Sequence, residues 1–272
     1  MPLRIAFDLD GVFADMQGAL ARQATMLFGT DDQASSDTVE DANPDRVALA
    51  LAAEPTQAVS GPEREPDQVD EASHPQTELP AGVPGDAPPL DRIHITARQQ
   101  RQLWKHVEET DNFWETLEEI EPGSLARLSA LSESRRWEII FLTKRPHSAG
   151  ATSQVQSQRW LHSKGFAWPS VFVVQGSRGR IAASLALDIV VDDTPENCLD
   201  VVVDSKARAV LVWRDEQPPP VAVKRLGIGV VKSVEECLNI FSQVESSSRE
   251  GVMDRVKRLL GTRGHRRAKS EA

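Results

Sequence analysis

The chain has 272 residues, 40% of them hydrophobic, with 41 acidic against 31 basic side chains and a formal net charge of −10. That length suits one or two domains, and the sequence has neither an 18-residue apolar span nor room for a leader before its first apolar run, so no transmembrane helix or signal peptide is expected. Two cysteines, Cys198 and Cys237, supply no disulfide framework and no metal spacing, which fits a reducing cytoplasm. The average charge conceals an uneven distribution. Residues 31–91 hold 15 acidic side chains against two arginines and no lysine, so the remainder of the chain carries +3.

The first apolar run is Leu3-Arg4-Ile5-Ala6-Phe7-Asp8-Leu9-Asp10-Gly11-Val12. A short apolar run broken by glycine reads as a buried strand, parallel to its neighbours. Two carboxylates at its C-terminal end stand where open α/β sheets gather ligands. They repel each other unless a cation such as Mg²⁺, with its preference for oxygen ligands, sits between them. The same string is also an ordinary polar turn, so its meaning depends on the polar groups that end the later strands. In residues 12–28, Phe13, Met16, Leu20, Ala24 and Leu27 recur at three- and four-residue steps. This predicts a helix directly after the turn, its N-terminal amides facing a phosphate bound there. Residues 29–90 contain nine prolines and no Phe, Trp or Tyr. Such a segment has too little apolar surface to offset ordering entropy, and is expected to be a disordered insertion within a folded domain. Leu103, Trp104, Val107, Phe113, Trp114 and Leu117 mark the return of structure, with Thr96 placed to cap a helix. The aromatic residues among them read as core rather than pocket lining.

A helix is predicted over residues 124–135, leading to a buried strand at 137–142 that ends in Thr143-Lys144-Arg145-Pro146. A hydroxyl followed by two cations at a strand end suits a phosphate. A helix at 153–165, a strand at 171–174, a polar loop Gln175-Gly176-Ser177-Arg178-Gly179-Arg180 and a helix at 181–187 come next. The strand at 189–191 ends in Asp192-Asp193, after which Thr194 is a candidate N-cap and Pro195 a candidate first helical residue. Strands at 209–213 and 227–231 and a helix at 233–244 complete the pattern, and a basic tail, residues 246–272, reads as a solvated terminus. Strands alternating with helices predict an α/β fold, a parallel sheet with helices on both faces. Parallel strands place their C-terminal ends along one edge. Asp8, Asp10, Thr143, Asp192 and Asp193 therefore converge if their strands are neighbours.

In this order, Phe7-Asp8-Leu9-Asp10-Gly11-Val12, Phe141-Leu142-Thr143-Lys144-Arg145-Pro146 and Val190-Val191-Asp192-Asp193-Thr194-Pro195-Glu196-Asn197 resemble the first, second and fourth motifs of the haloacid dehalogenase (HAD) superfamily of phosphohydrolases. Phe113-Trp114-Glu115-Thr116-Leu117 and the Pro122-Gly123 helix start are similar to the group of the 5′(3′)-deoxyribonucleotidases. The likeness covers residues 3–15 and about 113–213. It implies a HAD-like, Rossmannoid core from residues 1–15 and 113–245, with a small helical cap from 16–30 and 91–112 that is interrupted by the insertion at 31–90.

The resemblance also implies roles. Asp8 would be the nucleophile, forming an aspartyl-phosphate. Asp10 would protonate the leaving oxygen and later activate water. Thr143 would bond the phosphoryl group, and Lys144, Arg145 and Arg180 would contact substrate. Mg²⁺ would be held by Asp8, the Asp10 carbonyl and Asp192 or Asp193. The family's third motif supplies a lysine, and this chain has none in that stretch. Arg178, Arg180 or Lys144 must replace it; Arg178 has the better spacing to the following strand, although a planar guanidinium differs from a compact ammonium. The expected activity is a Mg²⁺-dependent phosphomonoester hydrolase, nucleotidase-like; the alternative is a catalytically degenerate scaffold that binds phosphate or a partner. An acidic insertion near the site would repel polyanions, so small phosphate esters are expected as substrates and nucleic acid is not. The partners of the insertion and the tail are not specified by the sequence.

Overall fold

Along each strand, alternate side chains are buried against opposite faces of one sheet, as the period of two in a pleated strand requires. Ile5, Phe7, Ile139, Phe141, Ile189, Val191 and Val210 belong to one hydrophobic cluster. Ala6, Ile140, Leu142, Val190, Ala209 and Leu211 belong to a second. The coordinates are a computed structural model that describes residues 2–29 and 95–243. The segment expected to be a disordered insertion, residues 31–90, and the basic tail, residues 246–272, lie outside the described residues.

The strands are β1 (Arg4–Asp8), β2 (Glu138–Thr143), β3 (Ser170–Val173), β4 (Ile189–Asp192), β5 (Arg208–Val212) and β6 (Gly229–Val231). They form a six-stranded sheet in the order β3-β2-β1-β4-β5-β6, with every pairing parallel. Phe7 lies opposite Phe141 on one side and Val191 on the other. The chain builds outward from β1 in one direction, then returns beside β1 and builds outward in the other. The reversal falls between β1 and β4, the point at which sheets of this kind open a crevice at their C-terminal edge.

Eight α-helices cover the sheet among the described residues: α1 (Met16–Phe28), α2 (Ala97–Glu109), α3 (Ser124–Arg135), α4 (Ser153–Ser163), α5 (Arg178–Ser184), α6 (Pro195–Asp204), α7 (Val221–Arg225) and α8 (Val234–Ser242). Buried residues of α1, α2, α3, α4 and α8 join the first cluster, and those of α5, α6 and α7 the second. The α/β class and the helices on both faces are as expected. Trp104, Phe113 and Trp114 are core residues, as expected. None of the described helices is long and apolar enough to cross a membrane.

Several boundaries differ from the sequence reading for local reasons. The first helix starts at Met16 rather than directly after Gly11. The Phe13 and Ala14 amides instead close a turn on the Leu9 carbonyl at 2.9 and 2.8 Å, and the Asp15 side chain caps α1 by accepting from the Gly18 amide at 2.8 Å. The helix after β3 starts at Arg178, three residues earlier than predicted, because Ser177 caps it and accepts from the Arg180 amide. Thr194 occupies the N-cap position of α6 but its side chain makes no capping bond; Asp192 accepts from the Thr194 amide instead, at 2.8 Å. The short helix α7 falls between Pro218-Pro219-Pro220 and Gly227, where proline and glycine concealed a five-residue helix. Thr96 caps α2 as expected, in a reciprocal arrangement with Gln99.

Candidate active site

Asp8 ends β1, Thr143 ends β2 and Asp192 ends β4, and these three strands are adjacent. Three polar side chains from distant parts of the sequence thus meet at one sheet edge. All three are buried.

Arg178 connects two of the strand ends. Its Nη2 donates to Asp8 Oδ1 at 2.6 Å, and its Nε lies 3.8 Å from Asp192 Oδ2. Its Nη1 and Nε are buried and make no hydrogen bond among the described residues. Of the three candidates for the missing lysine, Arg178 is the one found against Asp8. Arg180 is exposed and Lys144 half-buried, and neither makes an ion pair among the described residues. The position of Arg178 is set from below. Asp200, on α6, accepts from Ser177 Oγ at 2.7 Å and from the Gly179 amide at 3.0 Å, which pins the first turn of α5 to α6. A Cβ on Gly179 would fall 2.2 Å from the Asp200 carbonyl oxygen, so only glycine permits this approach.

Asp10 is held from the β2 side. Thr143 Oγ1 donates to Asp10 Oδ2 at 2.8 Å. Arg145 donates to it through Nε, at 3.0 and 3.1 Å to the two oxygens, and through Nη2 at 2.8 Å. Arg145 was expected at the substrate. It is instead 1% exposed, with Nη1 donating to Ser157 Oγ at 3.0 Å and its guanidinium 5.4 Å from the Trp114 ring centroid and 5.6 Å from that of Trp160.

Asp193 packs against the turn that follows β1. Gly11 has φ of +82°, and a Cβ there would lie 1.9 Å from Asp193 Oδ2. Glycine is therefore required twice over, by conformation and by space. The carbonyls of Gly11 and Val12 accept from Arg214, at 2.5 and 3.1 Å, and Arg214 also donates to Glu121 at 2.6 Å. Neither Arg214 nor Glu121 was singled out in the sequence. A usable signal existed: Arg214 stands just beyond the buried strand β5, on the edge where the other site residues collect. Asp200 carried no comparable signal.

The electrostatics are those of crowded acids. Burial raises the Asp8 carboxyl well above its ordinary range; repulsion from Asp192 adds to this and Arg178 opposes it. Asp192 is raised by burial against the opposing Arg178, Thr194 and Asn197. Asp193 is pushed up to about 7, by burial first and then by repulsion from Asp192. Asp8, Asp10, Asp192, Asp193 and Glu121 face three guanidiniums, Arg145, Arg178 and Arg214, leaving two negative charges when all are ionised. A hard divalent cation with oxygen ligands suits that deficit. Among the described residues no three His, Cys, Asp or Glu side chains stand together ready to bind a metal. The expected ligand set needs only two carboxylates and a main-chain carbonyl, so charge and donor chemistry fit while Arg178 remains paired with Asp8.

No protein-family model matches the chain, and no curated protein matches it either.

Proposed function

We propose that this protein is a phosphomonoester hydrolase of the HAD type, dependent on Mg²⁺ and acting through an aspartyl-phosphate. The observation that carries the reading is the gathering of Asp8, Asp10, Thr143, Arg178 and Asp192 at the β1–β4 reversal. Two carboxylates and a hydroxyl end three adjacent strands, and the buried Arg178 reaches both carboxylates from the start of α5.

In the first step an Asp8 oxygen attacks phosphorus and the ester P–O bond breaks. Asp10, entering as the acid, gives its proton to the departing oxygen. In the second step Asp10, now a carboxylate, takes a proton from water as that water attacks the phosphorus, and the bond to Asp8 breaks to release phosphate. Both residues return to their starting states. Arg178 holds Asp8 in place; its Nη1 and Nε are buried without a hydrogen-bond partner among the described residues, and the side chain would have to turn outward for them to donate to phosphoryl oxygens. Thr143 supplies a neutral donor by turning its hydroxyl from Asp10. Mg²⁺, held by Asp8, the Asp10 carbonyl and Asp192 or Asp193, would neutralise charge on the transferring group.

Small phosphate esters, nucleoside monophosphates first among them, are the proposed substrates, in a cytoplasmic setting. A second reading, a scaffold that binds phosphate without turnover, is favoured by one observation: an arginine stands where the family places lysine.

The test is phosphate release from nucleoside monophosphates, sugar phosphates and p-nitrophenyl phosphate, with Mg²⁺ and with EDTA. Mg²⁺-dependent turnover that Asp8→Asn abolishes, with the fold intact by circular dichroism, is expected. Release that Asp8→Asn leaves unchanged would remove the hydrolase reading. No release from any compound would leave the binding one.

A further inference from the structure

Building on the hydrolase reading, we infer that Arg145 is a positioning residue for Asp10, orienting the carboxyl that exchanges protons with the leaving group and with water. Its burial argues for this. An ion pair whose arginine is fully enclosed and whose Asp10 carboxylate is only 10% exposed adds little net stability over a well-packed apolar replacement, because desolvation offsets the Coulombic gain. An enclosed arginine is better explained by the geometry it imposes.

That geometry is over-determined. Nη1 is fixed by Ser157 Oγ, and the guanidinium lies beside two indoles. Each indole is itself anchored: Trp114 Nε1 donates to the Pro146 carbonyl at 2.9 Å and Trp160 Nε1 to that of Leu117 at 2.8 Å. The guanidinium plane is therefore set by α4 and by the 3-10 turn Phe113–Glu115. Through Nε and Nη2 it sets the plane of the Asp10 carboxyl in turn. Arg145 and Thr143 together bring three donors to the Asp10 carboxylate, Nε reaching both oxygens. When Thr143 turns its hydroxyl to the phosphoryl group, Oδ2 gains room for a proton in transit, in a direction that Arg145 determines. A lysine would supply charge without the planar fork.

Both proton transfers depend on Asp10, but an aryl leaving group departs as a stable anion and needs no proton. Loss of positioning should therefore slow alkyl esters far more than p-nitrophenyl phosphate in the first step, and slow the attack of water for both. The experiment compares stopped-flow p-nitrophenol release with turnover of the fastest alkyl ester, for Arg145→Lys, Arg145→Gln and Ser157→Ala. The arginine variants should lose roughly 10²–10⁴-fold on the alkyl ester. On the aryl ester they should show a burst of one product per site, followed by slowed steady-state release and accumulation of phosphoenzyme. Ser157→Ala should shift the alkyl-to-aryl ratio the same way, by roughly fivefold.

Folded variants that lower both esters by one factor, with no burst, would show that Arg145 only packs. If the arginine variants do not fold, the ratio in Ser157→Ala decides alone, and an unchanged ratio overturns the inference. The unsubstituted protein separates the two levels. Asp8-dependent release with unmoved ratios sinks the positioning role and spares the hydrolase; no Asp8-dependent release sinks both.

Discussion

Asp193, pushed up to about 7 by burial and by Asp192, weakens the fold when it ionises. In the unfolded chain it titrates near its ordinary value of 3.8, so between that pH and about 7 the folded state binds the proton more tightly. Stability from this group is therefore lost as pH rises through that window. Asp193→Asn should remove the loss. In metal-free protein at pH 8 the variant is expected to melt about 2–4 °C higher than the parent, the shift that about 1 kcal/mol makes in a domain of this size, and near pH 4 the two should coincide. Thermal melts from pH 4 to 8 check this; parallel curves would mean that the repulsion is already relieved. Such a gain at the expense of a site residue is the usual exchange between stability and activity. The same scale explains which residue roles were legible in the sequence. Asp8, Thr143 and Asp192 announced themselves because each ends an apolar run. Arg145 could be seen as a cation after a strand, but its commitment to Asp10 and Ser157 depends on Trp114 and Trp160, 31 residues away on one side and 15 on the other.

At the level of elements, the placement of Arg178 is a matter of how α5 meets α6. Asp200 bonds Ser177 and the Gly179 amide, and the approach is too close for any Cβ at Gly179, with the Asp200 carbonyl 2.2 Å away. Gly179→Ala should force the two helices apart at a cost of about 1–3 kcal/mol, the range for overpacking a tight contact. Because the displaced turn carries Arg178, the variant should also, on the proposed hydrolase reading, lose phosphate release beyond what its stability explains. Denaturant melts and phosphate release, measured on the same preparation, test the pairing; full activity in a destabilised protein would detach Arg178 from the helix contact. Sequence patterns could not foresee this contact. They placed the helix start three residues late because Ser177-Arg178-Gly179 reads as a turn, and capping by Ser177 overrides that reading.

Across the whole molecule, Arg214 and Glu121 connect the turn after β1 to the far half of the sheet. Arg214 follows β5 and binds the Gly11 and Val12 carbonyls, while Glu121 accepts from Arg214 and from the Val234 and Glu235 amides at the start of α8. Partial burial pushes Glu121 up, but Arg214 and the two amides outweigh it and hold the carboxyl below its ordinary value of 4.5. A depressed acid contributes stability above its unfolded value and loses it as pH falls through the folded one. Glu121→Gln should therefore cost about 1.5–3 kcal/mol at pH 7, as expected for hydrogen bonds to a charged group, and flatten the decline below pH 4.5. Chemical denaturation at pH 7 and pH 3.5 would reveal this; an equal loss at both would mean that charge plays no part.

The division between what the residues determine locally and what folding adds comes from distance along the chain. Apolar runs and turn signals within ten or so residues specified the α/β class, all six strands to within two residues at either end, and the polar groups at three strand ends. β6 was expected from residue 227 and begins at Gly229. Strand order was not specified. Whether Asp8, Thr143 and Asp192 meet depends on β2 and β4 flanking β1, which is decided by packing between segments more than 100 residues apart. The same is true of the pairings that turn those polar ends into a site. Arg178 reaches Asp8, Arg145 fixes Asp10 and Arg214 clamps the turn only once the sheet is assembled, because a side chain's partners are chosen by the neighbours that burial of the apolar faces brings beside it.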